Sequence, residues 1–188
     1  MTVRTTSAQA GTPAGRARTG EPPPDVDGAL FRQLMGSLMS GVSILTALDP
    51  DGMPFGMTCS AVCSVSANPP LLLACIGTPS ATLDAIQAGG RFAVNFLDAD
   101  SHEVSGLFAG RTPDKFSRVA WKPGAVTGVP VLAGTVAHTE CAVYQVVGAG
   151  DHVIVIGRIV GGETEPECAP LGYWRGCYHR SAPVPRHP

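Results

Sequence analysis

Residues 135–161 read TVAHTECAVYQVVGAGDHVIVIGRIVG. Two β-branched runs, Thr135–Val147 and His152–Gly161, flank Gly148-Ala149-Gly150-Asp151, and glycine with aspartate between such runs is hairpin chemistry. A long antiparallel hairpin is therefore predicted. Working outward, Arg91–Leu97 and Leu71–Ile76 are further apolar strands, the latter entered through Asn68-Pro69-Pro70. Pro54 to about Ser66 reads as one long strand in which Thr58, Ser60, Ser64 and Ser66 alternate with larger residues, apart from a slip near Ala61-Val62. Val42–Leu48 is another, closed by the turn Asp49-Pro50-Asp51-Gly52 with proline at its second position. Helices are few. Asp27 is placed to cap one in which Leu30, Phe31, Leu34, Met35 and Leu38 recur at helical spacing, with Gly41 as its end. Ser80 caps a second that closes at Gly89-Gly90, and Asp100 with Glu103 has capping-box spacing before Val104, Leu107 and Phe108. So many strands with so few helices cannot make a covered parallel sheet. The pattern predicts a mainly β fold, an antiparallel barrel with a few short helices.

The chain of 188 residues has room for one domain. Residues 1–27 hold Pro13, Pro22, Pro23 and Pro24 but only Val3 and Val26 as large aliphatics, and are expected to form a disordered tail. Residues 181–188 have the same character, which leaves 28–180 for the fold. The composition is 44% hydrophobic and only 15% charged, the reverse of a disordered chain, and implies an apolar surface such as a subunit interface. A net charge of −2 gives no bulk attraction to nucleic acid or anionic membrane. The longest apolar run, Leu71–Ile76, is far too short to span a bilayer. The six cysteines (59, 63, 75, 141, 168, 177) form no C-x-x-C pair, and residues 1–28 lack an apolar leader segment. They are expected to be reduced thiols of a cytoplasmic protein, most of them packed as small core hydrophobes. The five histidines are scattered, and no metal site is expected.

Several chemistries are absent. There is no G-x-G-x-x-G, since Val153 stands where the third glycine would follow Gly148 and Gly150, and no Walker lysine loop, H-E-x-x-H or G-x-S-x-G. What remains is a concentration of hydroxyls from Thr58 to Ser66, then Ser80 and Thr82 at a helix start. These residues have two readings. They form the wetter face of a strand, or they rim a flat polar ligand whose phosphate meets the helix N-terminus at Ser80.

In chain order the sequence also carries Phe31-Arg32-Gln33-Leu34-Met35-Gly36, Ser40-Gly41-Val42-Ser43-Ile44-Leu45-Thr46, Asp51-Gly52, and Gly56-Met57-Thr58-Cys59-Ser60. Ser64-Val65-Ser66, Asn68-Pro69-Pro70-Leu71, Arg91-Phe92-Ala93-Val94-Asn95-Phe96-Leu97, Asp114-Lys115-Phe116, Glu140-Cys141 and Gly150-Asp151-His152 follow. Across 28–180 this succession resembles the short-chain flavin reductases, the reductase components of two-component flavin-dependent monooxygenases. Cys59-Ser60-Ala61 departs from it, since many relatives are more polar there. The resemblance implies an FMN-binding split β-barrel with flavin at a homodimer interface. It implies an NAD(P)H:flavin oxidoreductase that uses NADH and reduces FAD, with FMN as the other candidate. The reduced flavin would pass to a separate monooxygenase of aromatic catabolism or natural-product biosynthesis.

The resemblance also implies a site. Met39, Ser40, Gly41 and Val42, with Met57, Thr58, Cys59 and Ser60, would line the isoalloxazine; main-chain donors there suit the edge on which charge builds up. Ser64, Val65, Ser66, Cys75 and Ile76 would follow the ribityl chain. Ser80 and Lys115 would meet the phosphate, with Phe116 beside them. His152 would sit by the nicotinamide, and Tyr178 would close over the nucleotide. Hydride would pass directly between the two cofactors, so no residue is expected to transfer a proton. Two alternatives share this barrel: an oxidase resembling the pyridoxine-phosphate oxidases with tightly held FMN, and a non-catalytic flavin-binding module.

Overall fold

The computed structural model describes residues 24–181. The two predicted tails therefore lie almost wholly outside the described residues. Helix α1 spans Gly28–Gly36, and the Asp27 carboxylate caps it by accepting from the amides of Ala29 and Leu30 at 2.9 and 2.8 Å. The helix stops at Ser37, short of the expected Gly41, which instead lies in the two-residue strand β1 (Ser40–Gly41). None of its residues is buried.

Strands β2 (Ser43–Leu48), β3 (Pro54–Cys59), β4 (Val62–Ala67), β5 (Pro70–Gly77), β6 (Arg91–Leu97), β9 (Thr135–Ala149) and β10 (His152–Thr164) form one antiparallel sheet. Its order is β3-β2-β6-β9-β10-β5-β4. The expected single strand from Pro54 to Ser66 is thus two strands on opposite edges of this sheet, parted by Ser60 and Ala61. Laid flat, seven strands would hold those edges about 29 Å apart. The three Cα steps from Cys59 to Val62 reach only about 11 Å. The sheet must therefore roll up until its two sides meet, and the Cys59 thiol at the end of β3 does donate to the Cys75 carbonyl of β5 at 3.6 Å. The predicted barrel follows from that short link.

The β9–β10 hairpin is the longest pairing, with register shifts at Ile156/Gly157 and Ile159/Gly161. Glycine is required at the first. A Cβ on Gly157 would stand 2.5 Å from Phe92 Cζ. Leu45, Ile76, Phe92, Val94, Cys141 and Val155 fill the barrel, and α2 (Ala81–Gly89) adds Leu83 and Ile86 from the cap at Ser80. The third helix, α3 (His102–Ala109), begins at Ser101 with no side-chain cap bond. The expected Asp100–Glu103 box does not form, because Asp98 takes the local donors: its Oδ1 accepts from the Asp100 amide at 3.0 Å and the Ser101 hydroxyl at 2.8 Å.

A short hairpin, β7 (Trp121–Pro123) with β8 (Pro130–Leu132), covers one face of β2, β6 and β9. Buried polar side chains anchor it. Thr46 donates to the Pro130 carbonyl, and Asn95 Oδ1 accepts from the Leu132 amide at 2.9 Å. Glu140, 1% exposed, accepts from the Val126 and Thr127 amides and the Thr127 hydroxyl. A third sheet joins β1, β11 (Leu171–Trp174) and β12 (Cys177–Arg180). All six thiols are free, but only Cys59 and Cys141 are buried, so most cysteines are not core residues. Burial pushes the Cys141 thiol up to about 11. Among the described residues no helix is long and apolar enough to cross a membrane.

Burial alone would raise the Glu140 carboxyl, but the Thr127 and Val126 hydrogen bonds and nearby His138 outweigh it and hold the group below its ordinary value. A lowered folded-state value adds stability above the unfolded pKa of about 4.3, and that stability is lost as pH falls through the folded one. Glu140→Gln, which turns an amide N–H toward donors, is expected to cost about 1–3 kcal/mol at pH 7. The gap in Tm between the two proteins should close in acid; a constant gap from pH 7 to pH 3 would contradict this origin.

Candidate functional site

A cavity of about 850 Å³ opens between β3, the 77–82 segment, and the end of α3 with the loop that follows it. Closure of the barrel brings these pieces together, since β3 and β5 lie at opposite ends of the strand order. Met57, Ser80, Lys115 and Phe116, four of the expected site residues, line it. The Ser80 hydroxyl accepts from the Leu83 amide at 3.2 Å and donates to Met57 Sδ at 3.5 Å. Ala81 and Thr82, in the first turn of α2, also line the wall. A helix N-terminus at that end of the cavity suits an anion.

Lys115 is placed differently from a free phosphate ligand. Its ammonium donates to the Phe108 carbonyl at 3.0 Å and the Gly56 carbonyl at 3.4 Å, and lies 5.6 Å from the Phe108 ring centre. Burial lowers its pKa. It ties the 3₁₀ turn Lys115–Arg118 to β3 and α3. Arg111 is the cation that sequence reading missed. It lines the same cavity, is exposed, and forms no ion pair among the described residues. It lies on Gly110-Arg111-Thr112-Pro113, a loop without periodicity from which no position could be inferred.

None of the other expected residues lines this cavity. His152 opens β10 with its ring over Gly77, itself a wall residue; a Cβ there would sit 3.4 Å from His152 Nε2. Its Nδ1 is 2.7 Å from Asp151 Oδ1, and that hydrogen bond, then the charge, lowers the Asp151 pKa. The Thr78 amide and hydroxyl both donate to the Asp151 carbonyl at 3.1 Å, clamping the hairpin tip to the rim. Thr58 donates to the Ser105 carbonyl at 2.7 Å, and Tyr178 to the Ser105 hydroxyl at 3.0 Å, so Tyr178 stands beside β3 through α3. Ser60, Ser64 and Val65 are exposed along the corner and β4, and Ser66 and Cys75 are half-buried. Ile76, Cys59 and Val42 are buried, and only their main chains could face a ligand. Met39 and Gly41 are exposed and Ser40 half-buried, next to β11.

A closed antiparallel barrel with a helix N-terminus and an apolar wall at one cavity, and a histidine beside its Gly77 wall, suits a large flat phosphorylated ligand. Residues 35–182 match the model of the flavin reductase like domain, and the chain belongs to that family. It is 50% identical over 157 residues to a flavin reductase (NADH) of Kitasatospora aureofaciens, covering 82% of each chain. It is 34% identical over 155 residues to the reductase subunit of a flavin-dependent monooxygenase of Mycobacterium tuberculosis, covering 81% of this chain and 82% of that one. Among solved structures, nitrilotriacetate monooxygenase component B of Mycobacterium thermoresistibile superposes with a TM-score of 0.80 at 37% identity, covering 85% and 89% of the two chains. A Streptomyces globisporus NADH:FAD oxidoreductase in complex with NAD and FAD fragments gives 0.79 at 33% identity, covering 84% and 94%. The protein is a flavin reductase of the split-barrel fold, as its sequence motifs implied.

Gly56 is where this cavity has least slack. A Cβ there would lie 2.7 Å from Phe108 Cε1 and 3.1 Å from Phe116 Cζ. Gly56→Ala is expected to destabilise the fold by about 1–3 kcal/mol. It should also reduce the rise in Tm that added FAD gives the wild type. An unchanged thermal shift would show that the aromatic pair does not shape the binding cavity.

Proposed function

We propose that this chain oxidises NADH, passes the hydride to FAD, and releases the reduced flavin to a separate monooxygenase component. The observation that carries the reading is the cavity itself. The α2 amides and Arg111 suit a phosphate at one end, Met57 and Phe116 suit an apolar ring system, and His152 stands on Gly77 at the mouth. Its volume suits a cofactor-sized ligand. Flavin and NADH supply the redox chemistry when bound. The chain's residues bind, orient and exclude water. The Asp151 carboxylate holds Nδ1 of His152 as its donor, leaving Nε2 toward the rim. FAD rather than FMN, and NADH rather than NADPH, rest on the sequence resemblance; a relative from Lentzea aerocolonigenes, 41% identical over 135 residues, is a flavin reductase (NADPH).

The reading includes a homodimer. Leu30, Phe31, Leu34, Met35 and Leu38 of the α1 region are each at least 43% exposed, an apolar stripe left uncovered by the described residues. Tyr144, Val146 and Val160 on β9 and β10 add exposed apolar surface. A monomer in light scattering at micromolar concentration with full activity would refute the dimer.

Initial rates of NADH and NADPH oxidation with FAD, FMN and riboflavin supplied in turn test the whole reading. No acceleration with any flavin would overturn it. Two variants divide the site. His152→Ala is expected to raise the KM for NADH and lower kcat/KM about 5- to 30-fold, the worth of about 1–2 kcal/mol, with flavin affinity unchanged. Arg111→Gln is expected to weaken FAD and FMN about 5- to 30-fold while sparing riboflavin, which has no phosphate. Lys115→Met, by contrast, should chiefly lower Tm, because its ammonium serves the scaffold.

A further inference from the structure

We propose that the chain has a second small-molecule site, between the β7–β8 hairpin and the ends of β9 and β10, that takes a small protonated aromatic amine. A cavity of about 460 Å³ lies there, within the range of small-ligand pockets, and shares no lining residue with the flavin cavity.

Its most telling member is His138. The sheet register sets Asn95, His138 and Glu163 side by side across β6, β9 and β10. The neighbouring buried polar groups of this face, Thr46, Asn95 and Glu140, all bond the overlying segment 126–132. His138 is 8% exposed, yet among the described residues its ring makes no hydrogen bond. No fully enclosed side-chain nitrogen or oxygen there lacks a partner, so the ring nitrogens reach the cavity they line. An imidazole with no protein partner that opens on a cavity of ligand size is free to take a hydrogen bond from a ligand.

Charge and shape choose the ligand class. Lys122 and Glu163 pair at 3.3 Å, which leaves Glu165 as a carboxylate with no ion pair among the described residues. The three charged wall residues sum to one negative charge, which favours a monocation. Trp121, Val131 and Ala137 give the wall an apolar side that includes an indole, suited to a flat ring bearing that cation. The ammonium would meet Glu165, and His138 would accept an N–H.

The two cavities share an aromatic partition. Trp121 meets Phe116 edge-on, with ring centres 6.0 Å apart at 79°, and Phe116 lines the flavin cavity. A ligand on Trp121 is therefore placed to alter the flavin site.

The test uses the full chain carrying Trp174→Phe, which leaves Trp121 as the only tryptophan. Fluorescence is titrated with 2-phenylethylamine, with phenylacetate as the same ring bearing the opposite charge. The expected result is a saturable change with the amine and at least tenfold weaker binding of phenylacetate. Glu165→Gln, an exposed substitution that leaves the core intact, should weaken the amine at least fivefold. Saturating FAD should leave the amine bound, with a shifted affinity. A linear response, equal affinity for the two probes, indifference to Glu165→Gln, or one-for-one displacement by FAD would each overturn the proposal.

Discussion

Ser60 and Ala61 join the two outermost strands of a seven-stranded sheet, and so short a link leaves the sheet no choice but to close. Every functional juxtaposition depends on that closure. Met57 belongs to one end of the strand order, while Gly77 and the helix it leads into belong to the other. They share a cavity only because the edges meet. The long β9–β10 hairpin at the centre of the order then sets its tip, with His152, against the same rim through the Thr78–Asp151 bonds. A substitution that lengthened the corner would loosen both sides of the site together.

A closed barrel of this size still has to cover its polar faces. Thr46, Asn95 and Glu140 turn what would be buried desolvated groups into anchors for the 126–132 segment. Glu140 is the strongest case, a buried carboxylate satisfied by amide and hydroxyl donors. The aromatic series Phe108, Phe116 and Trp121, each edge-on to the next, continues that cover toward the cavity beside β3. Rigid packing there explains why Gly56 has no room for a methyl group.

Local signals were readable where a residue's role depends on its near neighbours. The hairpin, the strands Leu71–Ile76 and Arg91–Leu97, and the caps at Asp27 and Ser80 all appear where the pattern placed them. The errors arise where the decisive partner is remote. The slip at Ala61-Val62 was visible, but one alternating run could not reveal that its halves lie on opposite sheet edges. The Asp100–Glu103 spacing was correct for a box, yet Asp98 competes for the same donors. Lys115 stood out as one of two lysines, but only the fold shows that two carbonyls claim its ammonium. Arg111 and His138 had no sequence signal, since one lies in an aperiodic loop and the other in an ordinary strand position. Family resemblance supplied the flavin, which composition and periodicity alone had left open.

The internal engagement of Lys115 has a kinetic side. On the proposed function, a phosphate at this cavity would meet the N-terminus of α2 and the exposed Arg111, with no second unengaged cation among the described wall residues. Such contacts guide a dianion into place and let water replace them easily, so dissociation is fast relative to that from a buried multi-arginine clamp. Under that reading, residence time would be short on both halves of the cycle. The fold spends one of its few lysines on holding itself together, and what it forgoes in grip it gains in turnover of a ligand that has to leave.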